Sequence, residues 1–264
     1  MQRDEGYAQI NDAELHYEIA GAGPNLVLLH GFTLDMRMWD AQFKLLSQHF
    51  RVLRCDLRGF GQSSLPAAPY THADDVAALM TTLGMTRAGV IGLSMGGAIA
   101  LDFACLHPDR LQALVLVDAA LGGFDRWTVH ISFNAKERGM AQTKRDWLAS
   151  PLLAPAMANP KSAPLLQRIV DDYSGWHFLH KDFDVFPPPT VIHRLATIHA
   201  PALVIVGEHD TVDFHNIADV LVSDIAGAKK VVMPRVGHMC NMEDPEAFNA
   251  VVLDFLLRHA TTPQ

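Results

Sequence analysis

Short apolar runs alternate with amphipathic segments along most of this chain of 264 residues. Apolar and polar residues alternate on both sides of Asn11 and Asp12, which predicts a β-hairpin. Largely apolar runs with the length of buried strands follow at residues 25–30, 51–56, 88–91, 113–117, 201–206 and 230–233. Residues at helical spacing lie between these runs, for example at 97–107 and 216–225. This alternation predicts an α/β domain on a mostly parallel sheet.

One region breaks the alternation. Residues 121–195 show no clear strand pattern, yet they hold three of the four tryptophans and many prolines. Flexible linkers lack such aromatic content, so we expect a mostly helical insertion there. The predicted organisation is a core domain of residues 1–120 and 196–264, interrupted by a helical cap at 121–195.

Composition narrows the classes of function. Hydrophobic residues make up 49% of the chain and charged residues 19%, which suits a protein with a large buried core. The formal net charge of −8 argues against nucleic acid as a partner, because phosphate backbones attract basic surfaces. We expect no membrane partner, since no apolar run reaches the roughly 18 to 20 residues of a bilayer span. Residues 1–6 also lack the apolar core of a secretion signal.

The three cysteines, Cys55, Cys105 and Cys240, are an odd number without metal-ligand spacing. We interpret them as reduced thiols of a cytoplasmic protein, and expect neither a disulfide framework nor a cysteine-rich zinc site.

The strongest chemical signal is the segment at residues 92–97 (GLSMGG), where a predicted strand meets a predicted helix. A sharp turn there needs small residues beside the serine, because the strand and helix backbones pass closely. Gly92 and Gly96 leave that room, and the turn exposes Ser94 as a nucleophile. Phosphate-binding loops carry Lys-Ser/Thr after their glycines, which this segment lacks.

A serine hydroxyl needs a base to take its proton and an acid to orient that base. His238 follows the last predicted strand, and Asp210 follows the strand before it. The chain order Ser94, Asp210, His238 is the order expected for this kind of site. Glu208, Asp213 and Asp118 are neighbouring or alternative acids, which we interpret as loop or structural carboxylates.

The developing oxyanion needs backbone donors. We expect one from the N–H of Met95, directly after the nucleophile, and the other from the N–H of Phe32, in the loop after the first buried strand.

Aromatic residues of the insertion are candidates for the walls of a substrate pocket. They are Phe124, Trp127, Trp147 and Trp176. Arg126 and Lys181 could pair with a substrate carboxylate, although surface charge is the simpler interpretation of both. His177 and His180 are three positions apart, but a metal site would need further ligands, so no metal is expected.

Together these segments resemble the α/β-hydrolase superfamily. The resemblance rests on residues 30–32 (HGF), 56–64 (DLRGFGQSS), 92–97 (GLSMGG), 206–210 (VGEHD) and 237–238 (GH), in this order along nearly the whole chain. It implies an eight-stranded, mostly parallel sheet flanked by helices, with a helical cap inserted after strand six. It also implies a triad of Ser94, Asp210 and His238.

Residues 93–97 (LSMGG) and 237–245 (GHMCNMEDP) are similar to the 3-oxoadipate enol-lactonase and small carboxylesterase branch. We therefore expect a serine hydrolase of small carboxylic esters or lactones that forms an acyl-enzyme, requires no cofactor and is a monomer or homodimer. Carbon–carbon bond hydrolases of ring-cleavage dienoates are an alternative, although they usually carry Asn where this chain has Leu93. Cofactor-free haloperoxidases or perhydrolases, and a non-catalytic ligand receptor on the same scaffold, are further alternatives.

Overall fold

The computed structural model describes residues 3–128, 133–186 and 188–259, and these residues form one sheet of eight strands. The strands are β1 (Arg3–Ile10), β2 (Ala13–Ala20), β3 (Asn25–Leu29), β4 (Arg51–Cys55), β5 (Ala88–Leu93), β6 (Leu111–Val117), β7 (Ala202–Gly207) and β8 (Lys229–Met233). Their order across the sheet is β1-β2-β4-β3-β5-β6-β7-β8. β1 pairs with β2, and β2 with β4, in antiparallel fashion, whereas β4, β3, β5, β6, β7 and β8 are parallel neighbours. The predicted hairpin and the mostly parallel sheet are confirmed.

Eleven α-helices lie within the described residues. They are α1 (Asp40–Leu46), α2 (His72–Thr82), α3 (Met95–Leu106), α4 (Ala135–Arg138), α5 (Met140–Leu148), α6 (Ala154–Ala158), α7 (Ala163–Asp172), α8 (Trp176–Leu179), α9 (Val212–Asp224), α10 (Cys240–Glu243) and α11 (Pro245–His259). Short 3₁₀ helices cover Met36–Trp39, Pro108–Arg110, Val191–His193 and Leu195–Thr197. No helix among the described residues is long and apolar enough to cross a membrane.

The central strands are buried on both faces, as their unbroken apolar runs predict. Every residue of β5 and β7 is buried, because α3 packs against β5 and α9 packs against β7. Since these strands are parallel, their carboxyl ends meet at one edge of the sheet. The segments that follow β3, β5, β6, β7 and β8 therefore converge there, as in other open α/β sheets.

Helix α9 begins earlier than the sequence pattern indicates. We predicted it near 216–225, but it starts at Val212 after Thr211, whose extended backbone takes the N-cap position. Asp213 consequently lies in the first turn, where the helix dipole stabilises a negative charge.

The segment between β6 and β7 carries the predicted helical cap. Its described residues contain α4 to α8, and an isolated parallel bridge joins Asp184 of this segment to Tyr70 of the core. The amide of Val185 donates to the carbonyl of Tyr70 at 2.8 Å, so the end of the cap is hydrogen bonded to the loop before α2. The predicted first and last residues of the cap, 121 and 195, stay a prediction.

Candidate active site

The turn between β5 and α3 holds Ser94 in a strained backbone conformation. Its φ of 54° and ψ of −115° lie in a region that residues other than glycine rarely adopt. A Cβ atom at Gly92 would collide with the carbonyl oxygen of Gly96, and one at Gly96 with that of Leu29. These contacts explain why the sequence places glycines on both sides of the serine. Ser94 stays partly exposed at the edge of the sheet.

Asp210 and His238 form a buried pair beside this turn. Asp210 follows β7 and His238 follows β8, and Nδ1 of His238 lies 2.8 Å from Oδ2 of Asp210. The other carboxylate oxygen of Asp210 accepts a hydrogen bond from the amide of Thr211 at 2.6 Å. Because Nδ1 faces the carboxylate, Nε2 is the ring nitrogen left to act as a base.

The loop that carries His238 is held by Glu243, a residue that was not predicted from the sequence. Glu243, in α10, accepts hydrogen bonds from the amides of Gly237 at 2.9 Å and Met239 at 3.1 Å. Burial raises the pKa of Glu243, although both amides stabilise its carboxylate. The sequence shows Glu243 five positions after His238. However, only the folded loop brings its carboxylate to the amides of Gly237 and Met239.

A cavity of about 370 Å³ opens over Ser94. Its lining consists of Phe32, Ser94, Met95, Ala98, Ala120, Trp127, Phe133, Trp147, Leu152, Asp213 and Phe214. His238 lies one layer behind this lining, where its ring packs against Phe214 with a centroid distance of 4.4 Å. Although both residues are described, Ser94 and His238 share no hydrogen bond in this structure. Catalytic hydrogen bonds of unliganded enzymes are often long and tighten with substrate.

The loop after β3 is fixed from below by His30. The Nε2 atom of His30 accepts a hydrogen bond from the amide of Leu57 at 2.9 Å, and Nδ1 donates to the carbonyl of Gly31 at 2.8 Å. One nitrogen accepts and the other donates, so the ring is neutral. Complete burial lowers the pKa of His30, in agreement with this assignment.

The same loop is fixed from above by the cap. Thr33 has a φ of 62°, its hydroxyl donates to the carbonyl of Phe32 at 2.6 Å, and it accepts from Nε1 of Trp147 at 2.6 Å. Phe32 and Met95 both line the cavity beside Ser94. Met95 is the first residue of α3, where backbone N–H groups have no partner within the helix. The loop and the helix start thus bring both predicted oxyanion donors to one cavity.

Asp118, the alternative acid, lies behind the pair. Ligand atoms of Asp118, Asp210 and His238 all lie within 4.8 Å of one another. The Oδ1 atom of Asp118 accepts from the amide of Gly207 at 2.8 Å, while its buried Oδ2 has no hydrogen-bond partner among the described residues. Burial, together with the negative charge of Asp210, raises the pKa of Asp118 well above its ordinary value. A raised pKa disfavours the ionised carboxylate that a metal ion would need, so this cluster suits an acid–histidine pair better than a cation.

The aromatic residues proposed for the pocket divide into two groups. Trp127 and Trp147 line the cavity, whereas Phe124 packs behind Trp127 with a ring distance of 5.4 Å. Trp176 is not brought to the cavity, which corrects our expectation. Its ring instead stacks on His180 at 5.1 Å within the cap.

The remaining wall residues were not predicted. Phe133, Leu152 and Phe214 come from three separate segments, and only the tertiary fold brings them together. Asp213, which we interpreted as a loop or structural carboxylate, lies in the first turn of α9, is fully buried and lines the cavity.

Comparison with known proteins agrees with this architecture. The family model described as the alpha/beta hydrolase family matches residues 26–251, and the chain belongs to this family. The enol-lactonase from Burkholderia xenovorans LB400 has a similar structure, with a TM-score of 0.80 and 34% identity, covering 96% of this chain and 100% of that chain. The expected resemblance to the enol-lactonase and esterase branch is confirmed.

Two sequence relatives add detail. A pimeloyl-[acyl-carrier protein] methyl ester esterase of Yersinia enterocolitica is 29% identical, over 92% of this chain and 97% of that protein. An uncharacterized protein of Mycobacterium tuberculosis is 34% identical over 144 residues, which are 53% of this chain and 41% of that longer protein. This chain therefore matches less than half the length of the mycobacterial relative.

Proposed function

We propose that the chain is a serine hydrolase that cleaves small carboxylic esters or lactones through an acyl-enzyme. Ser94 is the nucleophile, His238 the general base and Asp210 the acid that orients it. The amides of Phe32 and Met95 form the oxyanion hole, and residues 121–195 act as the cap over the substrate. The named relatives, an enol-lactonase and a methyl ester esterase, support this class of substrate.

One observation carries the proposal. The strained serine turn opens into an apolar cavity, and a buried histidine–aspartate pair lies behind the wall of that same cavity. Strain at a non-glycine residue persists only where the surrounding structure imposes it, and such residues cluster at active sites.

We propose the following reaction steps. Ser94 Oγ attacks the acyl carbon while Nε2 of His238 takes the hydroxyl proton. The bond between the acyl carbon and the leaving oxygen breaks, and His238 gives its proton to that oxygen. Water attacks the acyl-enzyme with His238 again as base, and Ser94 regains a proton as the acid leaves. Asp210 stabilises the imidazolium in each step, and each oxyanion donor contributes about 3 to 4 kcal/mol.

An active-site fluorophosphonate tests the nucleophile. We expect stoichiometric labelling of the wild-type chain, loss of labelling in Ser94→Ala, and unchanged labelling in Ser223→Ala, whose serine is exposed on α9. Turnover of 4-nitrophenyl esters by Ser94→Ala should fall by about 10⁴-fold or more. A folded wild-type chain that takes no label and cleaves no ester or lactone would instead indicate a ligand receptor.

A turnover panel separates reactions that share this site. Esters of increasing chain length, lactones and ring-cleavage dienoates should be compared at equal enzyme concentration, together with ester perhydrolysis by peroxide. We expect the highest kcat/KM for esters or lactones. Faster cleavage of the dienoates would replace the proposal with carbon–carbon bond hydrolysis, and faster peroxide-dependent turnover would replace it with perhydrolysis.

A further inference from the structure

We propose that residues 182–185 form a pH-sensitive strap, which docks the end of the cap on the core at acidic pH and releases it as the pH rises through neutrality. The inference rests on two carboxyl groups, Asp184 and Asp102, that the fold places in one narrow cleft. It concerns the cap and not the chemistry of Ser94, so it goes beyond the proposed function and does not depend on it.

The strap is joined to the loop before α2 by hydrogen bonds. The amide of Val185 donates to the carbonyl of Tyr70 at 2.8 Å, and the amide of Tyr70 donates to the carbonyl of Phe183 at 3.3 Å. The hydroxyl of Tyr70 also donates to the carboxylate of Asp182 at 3.2 Å. These contacts tie the end of the cap to the core at one short segment.

The strap docks with its polar side inwards. Asp182 and Asp184 are partly buried, whereas Phe183 and Val185 are exposed. An extended segment at a protein surface usually buries its apolar side and exposes its polar side. Burial of apolar surface therefore contributes little to docking here, and the charges of the two acids have a correspondingly large effect.

Asp184 and Asp102 line the same cleft between the strap, α2 and α3. Its volume of about 10 Å³ leaves room for about one water molecule at most, so two ionised carboxylates there would be poorly hydrated. Arg194 faces Asp102, but no ion pair joins either carboxyl to a cation among the described residues. The cleft therefore favours carboxyl groups that keep their protons.

The other titratable groups around the strap do not supply the missing positive charge. Complete burial lowers the pKa of His72 to about 3, so its ring is neutral near pH 5 and above. The guanidinium of Arg58 lies over the ring of Tyr70, 4.6 Å from its centroid, but it is paired with Asp75 at 2.8 Å. Asp182 adds a negative charge on the strap itself.

The pKa values of the two carboxyl groups give the direction of the pH effect. Burial, together with the charge of Asp182, raises the pKa of Asp184 to about 7, although the backbone of His72 lowers it in part. Burial raises the pKa of Asp102 to about 6, although Arg194 lowers it in part. In the released state both should ionise near the ordinary value of about 4. The docked state then binds more protons, so their contribution to docking is complete below about pH 4 and is lost as the pH rises through about 6 and 7.

Asp182 sets the acidic limit of docking. Burial alone would raise its pKa, but His177, whose Nε2 lies 3.2 Å from Oδ2, and the amide of Phe183 lower it. The contribution of Asp182 is present above its ordinary pKa of about 4 and is lost as the pH falls through the lower folded value. The strap should therefore be docked most firmly near about pH 5.

Release of the strap affects a wall of the active-site cavity. Helix α8 directly precedes the strap, and its Phe178 packs against Phe133 at 4.5 Å and Phe32 at 6.0 Å. Phe133 and Phe32 both line the cavity. We therefore expect α8 to hold this wall less firmly at alkaline pH than at acidic pH.

Hydrogen exchange of the full chain at about pH 5 and about pH 8 tests the strap through the amide of Val185. After correction for the intrinsic exchange rate, its protection factor should fall by at least about 30-fold in the wild type, because each unit of pKa difference between the docked and released states is tenfold. The fall should be smaller in Asp184→Asn and in Asp102→Asn, and below about 3-fold in the double variant. Asp109→Asn removes an exposed carboxylate just after α3 and should leave the fall unchanged.

The amide of Leu114 separates release of the strap from unfolding of the chain. It donates to the carbonyl of Pro201 at 2.9 Å, where β6 pairs with β7. It should be more protected than the amide of Val185 at both pH values, and its pH response should be the same in the wild type and the double variant. Equal protection of the two amides would mean that only the whole chain opens, and the inference would fail.

Two further results would overturn the inference. One is a wild-type protection factor at Val185 that stays within about threefold between the two pH values. The other is a folded double variant that retains the wild-type fall. Because hydrogen exchange requires no turnover, these outcomes are independent of whether the chain cleaves an ester.

Discussion

Two acidic side chains near His238 have different environments, and this difference supports the roles that we propose for them. Asp118 is completely buried beside Asp210, and burial, together with the negative charge of Asp210, raises the pKa of Asp118. Asp210 faces Nδ1 of the imidazole and accepts from the amide of Thr211. Two carboxyl groups so close together are stable when one of them is neutral. We therefore propose Asp210, rather than Asp118, as the carboxylate that would stabilise an imidazolium.

The two acids should therefore respond differently to amide substitution. Asp210→Asn turns an acceptor for the imidazole N–H into a donor and should lower kcat by about 10³- to 10⁴-fold. Asp118→Asn keeps an oxygen that can accept from the amide of Gly207, and a carboxyl with a raised pKa loses little charge when it becomes an amide, so kcat should change less than about 10-fold. Steady-state kinetics of both variants on one chromogenic ester measures the two changes in kcat. The reverse order of effects would make Asp118 the catalytic acid.

Asp118 also sets a pH dependence of stability. The unfolded carboxyl ionises above about pH 4, whereas the folded one keeps its proton to higher pH, so the native state binds more protons in that interval. Its contribution to wild-type stability is complete below about pH 4 and is lost as the pH rises toward the folded pKa.

Urea unfolding of the wild type and of Asp118→Asn measures this loss. The difference in free energy of unfolding between the two should shift in favour of the variant by about 1 kcal/mol per pH unit, starting near pH 4. A difference that stays constant from about pH 4 to about pH 8 would show that Asp118 ionises normally.

At the scale of single residues, the sequence was most informative at positions where the fold allows only one type of residue. Glycines at 92 and 96 predicted the serine turn because their backbone contacts exclude any side chain. Thr33 and Asp213 gave no such signal. Their roles depend on Trp147 and Thr128, which are more than 80 positions away in the chain.

At the scale of elements, helix α5 of the cap is linked directly to the loop after β3. The indole of Trp147 donates to the Thr33 hydroxyl, and that hydroxyl donates to the carbonyl of Phe32. The peptide between Phe32 and Thr33 is thus held by the cap, although the loop that carries it follows the core strand β3. We infer that the cap does more than cover the substrate, since it also fixes the peptide that directly follows the proposed oxyanion donor, the N–H of Phe32.

Trp147→Phe should reveal this link. The ring still fills the wall of the cavity, but the donor to Thr33 is lost, so the peptide that follows the oxyanion donor is held less firmly and the donor can shift. We expect kcat to fall by about 10-fold with little change in KM, because the lost interaction acts mainly in the transition state. Trp176→Phe, outside the cavity, should leave both constants unchanged. A rise in KM at constant kcat would show that Trp147 serves only as a wall.

The elements of the sheet were easier to predict than those of the cap. Strands buried on both faces have unbroken apolar runs, so all of them were found within a few residues of their bounds. The cap helices contain between 4 and 10 residues, too few to be stable alone. Their positions depend on packing against the core, which is why Trp176 was wrongly expected in the cavity.

At the scale of the whole molecule, Asp56 joins segments that are distant in the chain. Its buried carboxylate accepts from the amides of Met36 at 3.0 Å and Gln62 at 2.9 Å, and lies 2.9 Å from Nδ1 of His16. These contacts connect β2, the segment after β3 and the loop after β4. Burial alone would raise the pKa of Asp56, but the hydrogen bonds from His16 and the two amides outweigh it and lower the pKa. The hydrogen bond to Asp56 in turn raises the pKa of His16.

The pH range of this stabilisation follows from the lowered pKa of Asp56 and the raised pKa of His16. The contribution of Asp56 is present above its unfolded pKa of about 4 and is lost as the pH falls through the lower folded value. The contribution of His16 is complete below its unfolded pKa of about 6.5 and is lost as the pH rises through the higher folded value. The charged pair is therefore strongest between about pH 4 and about pH 6.5.

Asp56→Asn should lower the free energy of unfolding by about 2 kcal/mol near pH 5.5, the size expected for buried hydrogen bonds to a charged group. The loss should be smaller near pH 9, because a neutral His16 gives a weaker hydrogen bond. Asp74→Asn is the matched control, since Asp74 pairs with His107 at the same distance of 2.9 Å in a more exposed position. That surface pair should contribute less than about 1 kcal/mol at either pH. Equal losses for Asp56→Asn at both pH values would mean that the amides of Met36 and Gln62, rather than the charge on His16, provide the stabilisation.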